Sequence, residues 1–189
     1  MAQPAPRRRD AAATREALLQ AARHLLAERG ATQTTTRDIA AEVGVNQALI
    51  NRYFGSKESL FVEAVRGGGA SVSELIATSP IEHLPEGILR EVLDASASGR
   101  GSSALLAGVV NNDTITEIIR EMVEDTFTRG LGDRLGGDDA GLRAELLNAL
   151  VVGIAVMREK IGSQALRAAD FDDLAKYVRR MAVPLLADD

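Results

Sequence analysis

Apolar residues fall at helical spacing along most of the chain, and no segment alternates with period two for long enough to form a strand. In "TREALLQAARHLLAERG", Leu18, Ala22, Leu25 and Leu26 mark one buried face, and Gly30 stands where a left-handed turn ends the helix. "TTRDIAAEVG" places Thr35 three residues ahead of Asp38, the spacing of a capping box, and stops at Gly44. After a tight turn comes "NQALINRYF". Ser56 is then placed to cap "KESLFVEAV", which runs into Gly67, Gly68 and Gly69, a hinge between stiffer segments. Further amphipathic stretches are expected near 86–97, 102–111, 114–131, 139–160 and 171–186, with Pro184 expected to kink or end the last. Since 46% of the 189 residues are apolar, a sizeable core is available, and the expected fold class is all-α without internal repeats.

The segment from Thr35 to Phe54 has the spacing of two short helices crossing at a steep angle. Such a crossing needs a small residue at the contact, a turn residue able to take positive φ, and a branched apolar residue in the angle. Ala40, Gly44 and Ile50 meet those needs in order, with Val45 and Phe54 extending the buried face. An ordinary corner between helices satisfies the same pattern, so the opposite face decides. Gln47, Ala48, Asn51 and Arg52 lie together away from Ile50 and Phe54, and Gln, Asn and Arg pair with base edges in the major groove. Thr36 and Arg37 open the preceding helix beside the same groove. Lys57 occupies the first position of its helix, where a cation opposes the macrodipole and suggests an outside anion. A DNA phosphate there would accept from Lys57 and the free amides, with Tyr53 donating its hydroxyl to a neighbouring phosphate. A snorkelling surface lysine and a half-buried rim aromatic are the alternatives for these two residues.

Charge is divided along the chain. Residues 1–67 carry 10 Lys and Arg against 7 Asp and Glu, and the remainder 12 against 20, so a formal −5 overall hides a basic N-terminal module. Residues 1–13, with Arg7, Arg8 and Arg9, are expected as a disordered basic arm that follows the DNA backbone or minor groove, or as a plain solubilising tail. With no Cys, disulfides, thiolate metal sites and cysteine nucleophiles are excluded, and only His24 and His83 remain as imidazoles. His24 fits a satisfied boundary position, and His83 lies in a Pro-flanked loop. No apolar stretch of secretory or membrane-spanning type is evident, so the cytoplasm is the expected location.

The run from "TREALLQAARHLLAERG" through "TTTRDIAAEVGVNQALINRYFGSKESLFVEAV" resembles the DNA-binding domain of the tetracycline-repressor (TetR-like) family of bacterial regulators. The family's pattern falls on Thr35, Ile39 and Ala40, Gly44 and Val45, Tyr53 and Phe54, and Ser56, Lys57 and Glu58. Many members carry a tyrosine two residues before the aromatic pair, where this chain has Asn51, so a hydrogen-bonding contact replaces an apolar one. The resemblance implies a homodimer on a palindromic double-stranded operator. It also implies a larger helical C-terminal domain that binds a small inducer and dimerises through its last two helices. The corresponding division is a three-helix helix-turn-helix domain over 14–67 and a ligand-binding and dimerisation domain over 68–189.

The C-terminal part is read from its own pattern. In "LRAELLNALVVGIAVMREKIG", Leu146, Leu150, Ile154 and Met157 form one line and Leu147, Val151 and Ile161 another, with Gly153 small enough for close helix approach. The last helix offers Leu174, Tyr177, Val178, Met181 and Leu185, and two such helices per subunit would make a four-helix dimer interface. The alternative is that both only close the subunit's own core. For a pocket, Ile118, Met122 and Phe127 face inward, while Asn111, Asn112 and Arg158 are polar groups able to orient a ligand. Few aromatics follow residue 67, which favours an aliphatic or mixed inducer over an aromatic cage for flat cations.

Catalysis finds no support: there is no Walker loop, no His-Glu-x-x-His, no Gly-x-Ser-x-Gly, and no cofactor or metal is called for. The expected function is a dimeric one-component transcriptional regulator, a repressor released by a small molecule. A DNA-binding dimer whose C-terminal domain senses nothing is the other reading.

Overall fold

A computed structural model describes residues 6–67, 69–97 and 113–187, all statements below being confined to these, and shows helices with no strand among them. Helix α1 (Pro6–Gln33) begins earlier than the sequence suggested, with helical backbone through Arg7, Arg8 and Arg9 where an arm was expected. Proline at the first position suits a helix start, because the missing N–H is one that the first turn leaves unbonded anyway. The helix breaks at Gly30 (φ 74°, ψ 170°), so the positive φ falls where it was expected. Thr34, fully buried, shares its hydroxyl between the carbonyls of Gly30 (2.7 Å) and Leu25 (3.2 Å) and fixes the exit.

Helices α2 (Thr36–Val43), α3 (Ala48–Phe54) and α4 (Lys57–Gly67) follow at short intervals. Then come α5 (Ala70–Thr78), a 3₁₀ turn at Ile81–His83, α6 (Leu84–Ala97) and α7 (Asp113–Val123), which widens into a π-helical segment at Glu124–Leu131. Helix α8 (Gly132–Leu135), α9 (Ala140–Ala155) with a π-helical continuation at Val156–Ile161, α10 (Gln164–Ala168) and α11 (Phe171–Leu186) complete the chain. The expected stretch 102–111, and with it Asn111 and Asn112, lies outside the described residues.

Helices α5, α8 and α10 and the 3₁₀ turn are additions to the sequence reading. Helix α5 buries only Val72 and Ile76 and has no side-chain cap, so its local signal is faint. Pro184 does not end α11, which runs on to Leu186. Its ring sits in the final turn, and the carbonyls beyond it find another donor. Arg143 of α9 is 6% exposed and gives Nη1 to the carbonyls of Ala187 (2.7 Å) and Leu185 (3.4 Å), Nη2 to that of Gly136, and Nε to Asp139 (2.7 Å). One buried guanidinium thus satisfies the ends of α8 and α11 together.

The interior divides into two apolar clusters. The first joins Leu18, Leu26, Ile39, Ile50, Leu60 and Val65 of α1–α4 with Ile118 and Ile119 of α7. The second gathers Leu84, Ile88, Leu131, Leu147, Val151, Leu174 and Val178 from the later helices. Further ties link the early and late helices: Arg66 of α4 pairs with Glu121 of α7 (3.0 Å), and Lys160 donates to the carbonyl of Ala27 (3.2 Å).

Helix α9 with its continuation spans 22 residues and holds an 18-residue window of mean hydropathy 1.6, long and apolar enough by composition alone to cross a membrane. Here one stripe of it, Ala140, Ala144, Leu147 and Val151, belongs to the second cluster. A different stripe faces outward.

Candidate nucleic-acid interface

Helix α2 starts at a complete capping box. The Thr35 hydroxyl accepts from the backbone N–H of Asp38 (3.2 Å), and the Asp38 carboxylate accepts from the backbone N–H (3.0 Å) and hydroxyl (2.6 Å) of Thr35. These bonds favour the ionised carboxylate and hold the Asp38 pKa below its ordinary value, with Arg29 and Lys57 adding smaller attractions. A depressed carboxylate pKa contributes stability above the unfolded pKa and loses it as pH falls through the folded one. We therefore expect the N-terminal turn of α2 to loosen only below the ordinary aspartate range, read as coincident NMR titrations of the Asp38 side chain and the Thr35 amide. A Thr35 amide that shifts at ordinary aspartate pH would contradict this.

Gly44 ends α2 in the left-handed region (φ 73°), and its N–H closes onto the carbonyls of Ala40 and Ala41. Val45 donates to the carbonyl of Ala40 at 2.9 Å, so the turn is stitched to the helix it leaves. Asn46, which the sequence reading passed over, then starts α3: its Oδ1 accepts from the Ala48 amide at 2.8 Å. An Asn just ahead of an apolar-periodic run is the signal that marks it. Ile39, Ala40, Ile50 and Phe54 are buried beneath the pair, as their spacing required.

On the other side, Arg37, Gln47, Ala48, Asn51 and Arg52 are exposed, while Thr36, Tyr53 and Lys57 are half-buried. The fold brings Arg37 and Gln47 together, with Arg37 Nε donating to Gln47 Oε1 at 3.3 Å. Tyr53 packs edge-on against Phe54, which Arg15 covers from 4.9 Å. Lys57 is less free than expected. Its ammonium donates to the carbonyl of Ala31 at 3.2 Å and sits 5.1 Å from the Phe61 ring centre, leaving two N–H groups for an outside acceptor. Ser56 caps α4 as its type and place suggested, accepting from the Ser59 amide at 3.0 Å. His24 lies against Glu42 (3.0 Å), a pairing across α1 and α2 in keeping with a boundary position.

Two cavities among the described residues flank the junction of early and late helices. One of about 180 Å³ is lined by Arg66, Ser73, Glu121, Met122 and Thr126, and one of about 350 Å³ by Glu16, Arg23, Gly67, Ser71, Glu91 and Asp94. Of the expected pocket residues, Met122 reaches the smaller cavity, and Phe127 is buried in the second cluster. Arg158 lines neither of these cavities, and its Nη1 donates to the carbonyls of Leu166 (2.5 Å) and Ala169 (2.8 Å), closing the end of α10. Its charge is thus engaged within the subunit.

The expected interface residues also divide. Leu146, Met157, Tyr177 and Met181 are exposed together with Leu142 (62%), Ile161 (67%) and Val183 (63%). Gly153 lies on the same outward stripe, with nothing within 4 Å of an added Cβ. Leu150 and Ile154 are half-buried at its edge. Leu174 (6%) and Val178 (0%) are corrected: they fill their own subunit's core, and Ile161, expected beside Leu147, faces outward instead. An apolar period reports that a helix has two sticky stripes, not which neighbour covers each.

Comparison with known proteins agrees with this geometry. Residues 18–64 match the family model described as bacterial regulatory proteins of the tetR family, and residues 82–184 match a tetracyclin repressor-like C-terminal domain. A TetR-family regulator from Streptomyces coelicolor has a solved structure that is 31% identical, with 100% of this chain and 99% of that one covered and a TM-score of 0.63. NalD of Pseudomonas aeruginosa, the secondary repressor of a multidrug efflux pump, shares the fold at a TM-score of 0.70 and 20% identity over 94% of this chain and 98% of its own. An HTH-type transcriptional repressor of Mycobacterium tuberculosis is 38% identical over 78 residues, 41% of this chain and 39% of that relative's length. The chain's match to this curated relative therefore spans about two fifths of that relative's length. Both halves of the chain, matched in order by the two models of one family, place it in the tetracycline-repressor family of bacterial regulatory proteins.

Proposed function

We propose that the protein is a cytoplasmic, dimeric transcriptional repressor that binds a palindromic operator through α3 and is released by a small molecule. The observation that carries this reading is the exposed row of Gln47, Asn51 and Arg52 on a helix whose other side, Ile50 and Phe54, is locked into the core. Residues 14–67 form the reading head, and the helices after residue 68 serve sensing and dimerisation. The outward stripe of α9 and the exposed Tyr177 and Met181 of α11 support a four-helix interface with a second copy, since so large an apolar face seldom stays in water. Selection of bound fragments from random DNA tests the reading. A palindromic enriched motif supports it, and the absence of any enriched motif would overturn it.

Release by an inducer rests on the shared first cluster, in which Ile118 and Ile119 of α7 pack among residues of the reading head. A ligand that shifts α7 changes the preferred spacing of the two heads without touching the DNA surface. The inducer itself is taken to be apolar or mixed. A metabolite panel in thermal denaturation tests for one, because a true ligand raises the midpoint by mass action.

Base and phosphate contacts separate in mutants. Asn51→Ala and Arg52→Ala are expected to relax base preference at defined operator positions by about 1–3 kcal/mol each. Lys57→Ala should weaken all sequences alike and shallow the salt dependence by about one unit per lost contact. Titrations at several salt concentrations check both, and an unchanged salt slope for Lys57→Ala would remove its phosphate role.

A further inference from the structure

A glutamine at the start of a reading helix ordinarily matches adenine, its carbonyl accepting from N6 and its amide donating to N7. The surroundings of Gln47 alter that. Its backbone lies at the entrance to α3 but its side chain makes no capping bond, while Asn46 serves the Ala48 amide. The side chain is instead met by Arg37, whose Nε donates to Oε1 at 3.3 Å across the turn. A guanidinium has donors only, so the amide must turn its oxygen toward Arg37 and its NH₂ away. The remaining lone pair of that oxygen lies beside a full positive charge, a poor place for the amino group of adenine. With Nε and Oε1 joined, the groups left to the pair for a base are the Gln47 NH₂ and the Nη groups of Arg37, all of them donors.

We propose that Arg37 and Gln47 act as one reading unit for guanine, whose major-groove edge offers two acceptors, O6 and N7, and no donor. Arg37 is the positioning residue that sets which end of the amide meets the base. The capping box of Thr35 and Asp38 holds Arg37 in the first turn of α2, and Asn46 holds Gln47 at the start of α3, so the two meet because both helix starts are fixed. This inference rests on the operator-binding reading above and adds the base at one position.

Selection from random DNA with wild-type protein, Gln47→Ala and Arg37→Met tests it, with 7-deazaguanine placed in the wild-type operator as a probe needing no protein variant. The operator position at which Gln47→Ala loses its preference should hold guanine in the wild-type selection. Arg37→Met should move that position toward adenine, changing the guanine-to-adenine ratio by about tenfold or more. Removing N7 at that guanine should weaken wild-type binding several-fold. If Arg37→Met lowers affinity on every sequence alike and leaves the base unchanged, Arg37 is only a phosphate contact and the joint unit is overturned, while operator binding stands. If Gln47→Ala alters no position, or 7-deazaguanine costs nothing, the unit is likewise overturned. A wild-type protein that enriches no motif fails the operator reading itself, and the inference with it.

Discussion

Gly153→Arg is expected to convert the proposed dimer to a monomer at micromolar concentration while leaving the subunit folded. Position 153 is exposed, and an added Cβ meets nothing within 4 Å in its own subunit, so the new side chain has room there. In the dimer the same position lies on the stripe of Leu142, Leu146 and Met157 proposed to meet its copy, and two guanidinium groups would enter a dry, unpaired setting. Leaving a buried charge uncompensated costs about 3–5 kcal/mol, which converts to a loss of dimer affinity of about 10² to 10³ or more. Operator affinity should fall with it, because a monomer holds only one half-site. Sedimentation decides the matter. A variant that stays dimeric, or a wild-type protein that runs as a monomer, would place the interface elsewhere.

The second large effect belongs to Arg143. Arg143→Ala removes the donor shared by the carbonyls of Gly136, Leu185 and Ala187, and these are left without the partner that ends α8 and α11. Hydrogen bonds to a charged donor contribute about 1.5–3 kcal/mol each, and a side chain only 6% exposed is lost with them, so a loss of about 3 kcal/mol in unfolding free energy is expected from the denaturant midpoint. Asp139→Ala, by contrast, should cost about 1 kcal/mol or less, since Asp139 is 61% exposed and water replaces the lost pairing. Comparable losses from both variants would mean that the ion pair, and not the carbonyl capping, stabilises this corner.

The contrast between these two residues shows what was legible in the sequence. The helix-turn-helix was readable because its determinants are local: Thr35 finds Asp38 three residues away, Gly44 closes onto Ala40, and Ile50 follows from the turn. Nothing in the sequence marks Arg23 or Arg143, and Arg158 reads there as a group that orients a ligand. Arg23 is in fact buried, its Nε donating to the carbonyl of Ala64 at 2.9 Å, 41 residues away. Backbone carbonyls are the same at every position, so no residue type announces that one of them awaits a distant guanidinium. The same limit explains Leu174 and Val178, whose spacing shows a buried stripe on α11 but not which surface buries it. The Arg37 and Gln47 contact lies between these cases: both residues were assigned to DNA singly, and only the packing of two helix starts shows that they touch.

The placement of Ile118 and Ile119 in the first apolar cluster has a consequence for the order in which the protein is made. A chain lengthening from its N-terminus completes α1–α4 at Gly67, yet the last two isoleucines of that core follow about 50 residues later. At ordinary synthesis rates of about 5–20 residues per second the gap lasts about 3–10 seconds. During it the nascent head presents an open apolar face that nothing in the chain can yet close. A partner that shields that face while α7 is still being made would protect the protein from self-association at its most exposed moment. An N-terminal fragment ending at Gly67 should carry the same vulnerability permanently.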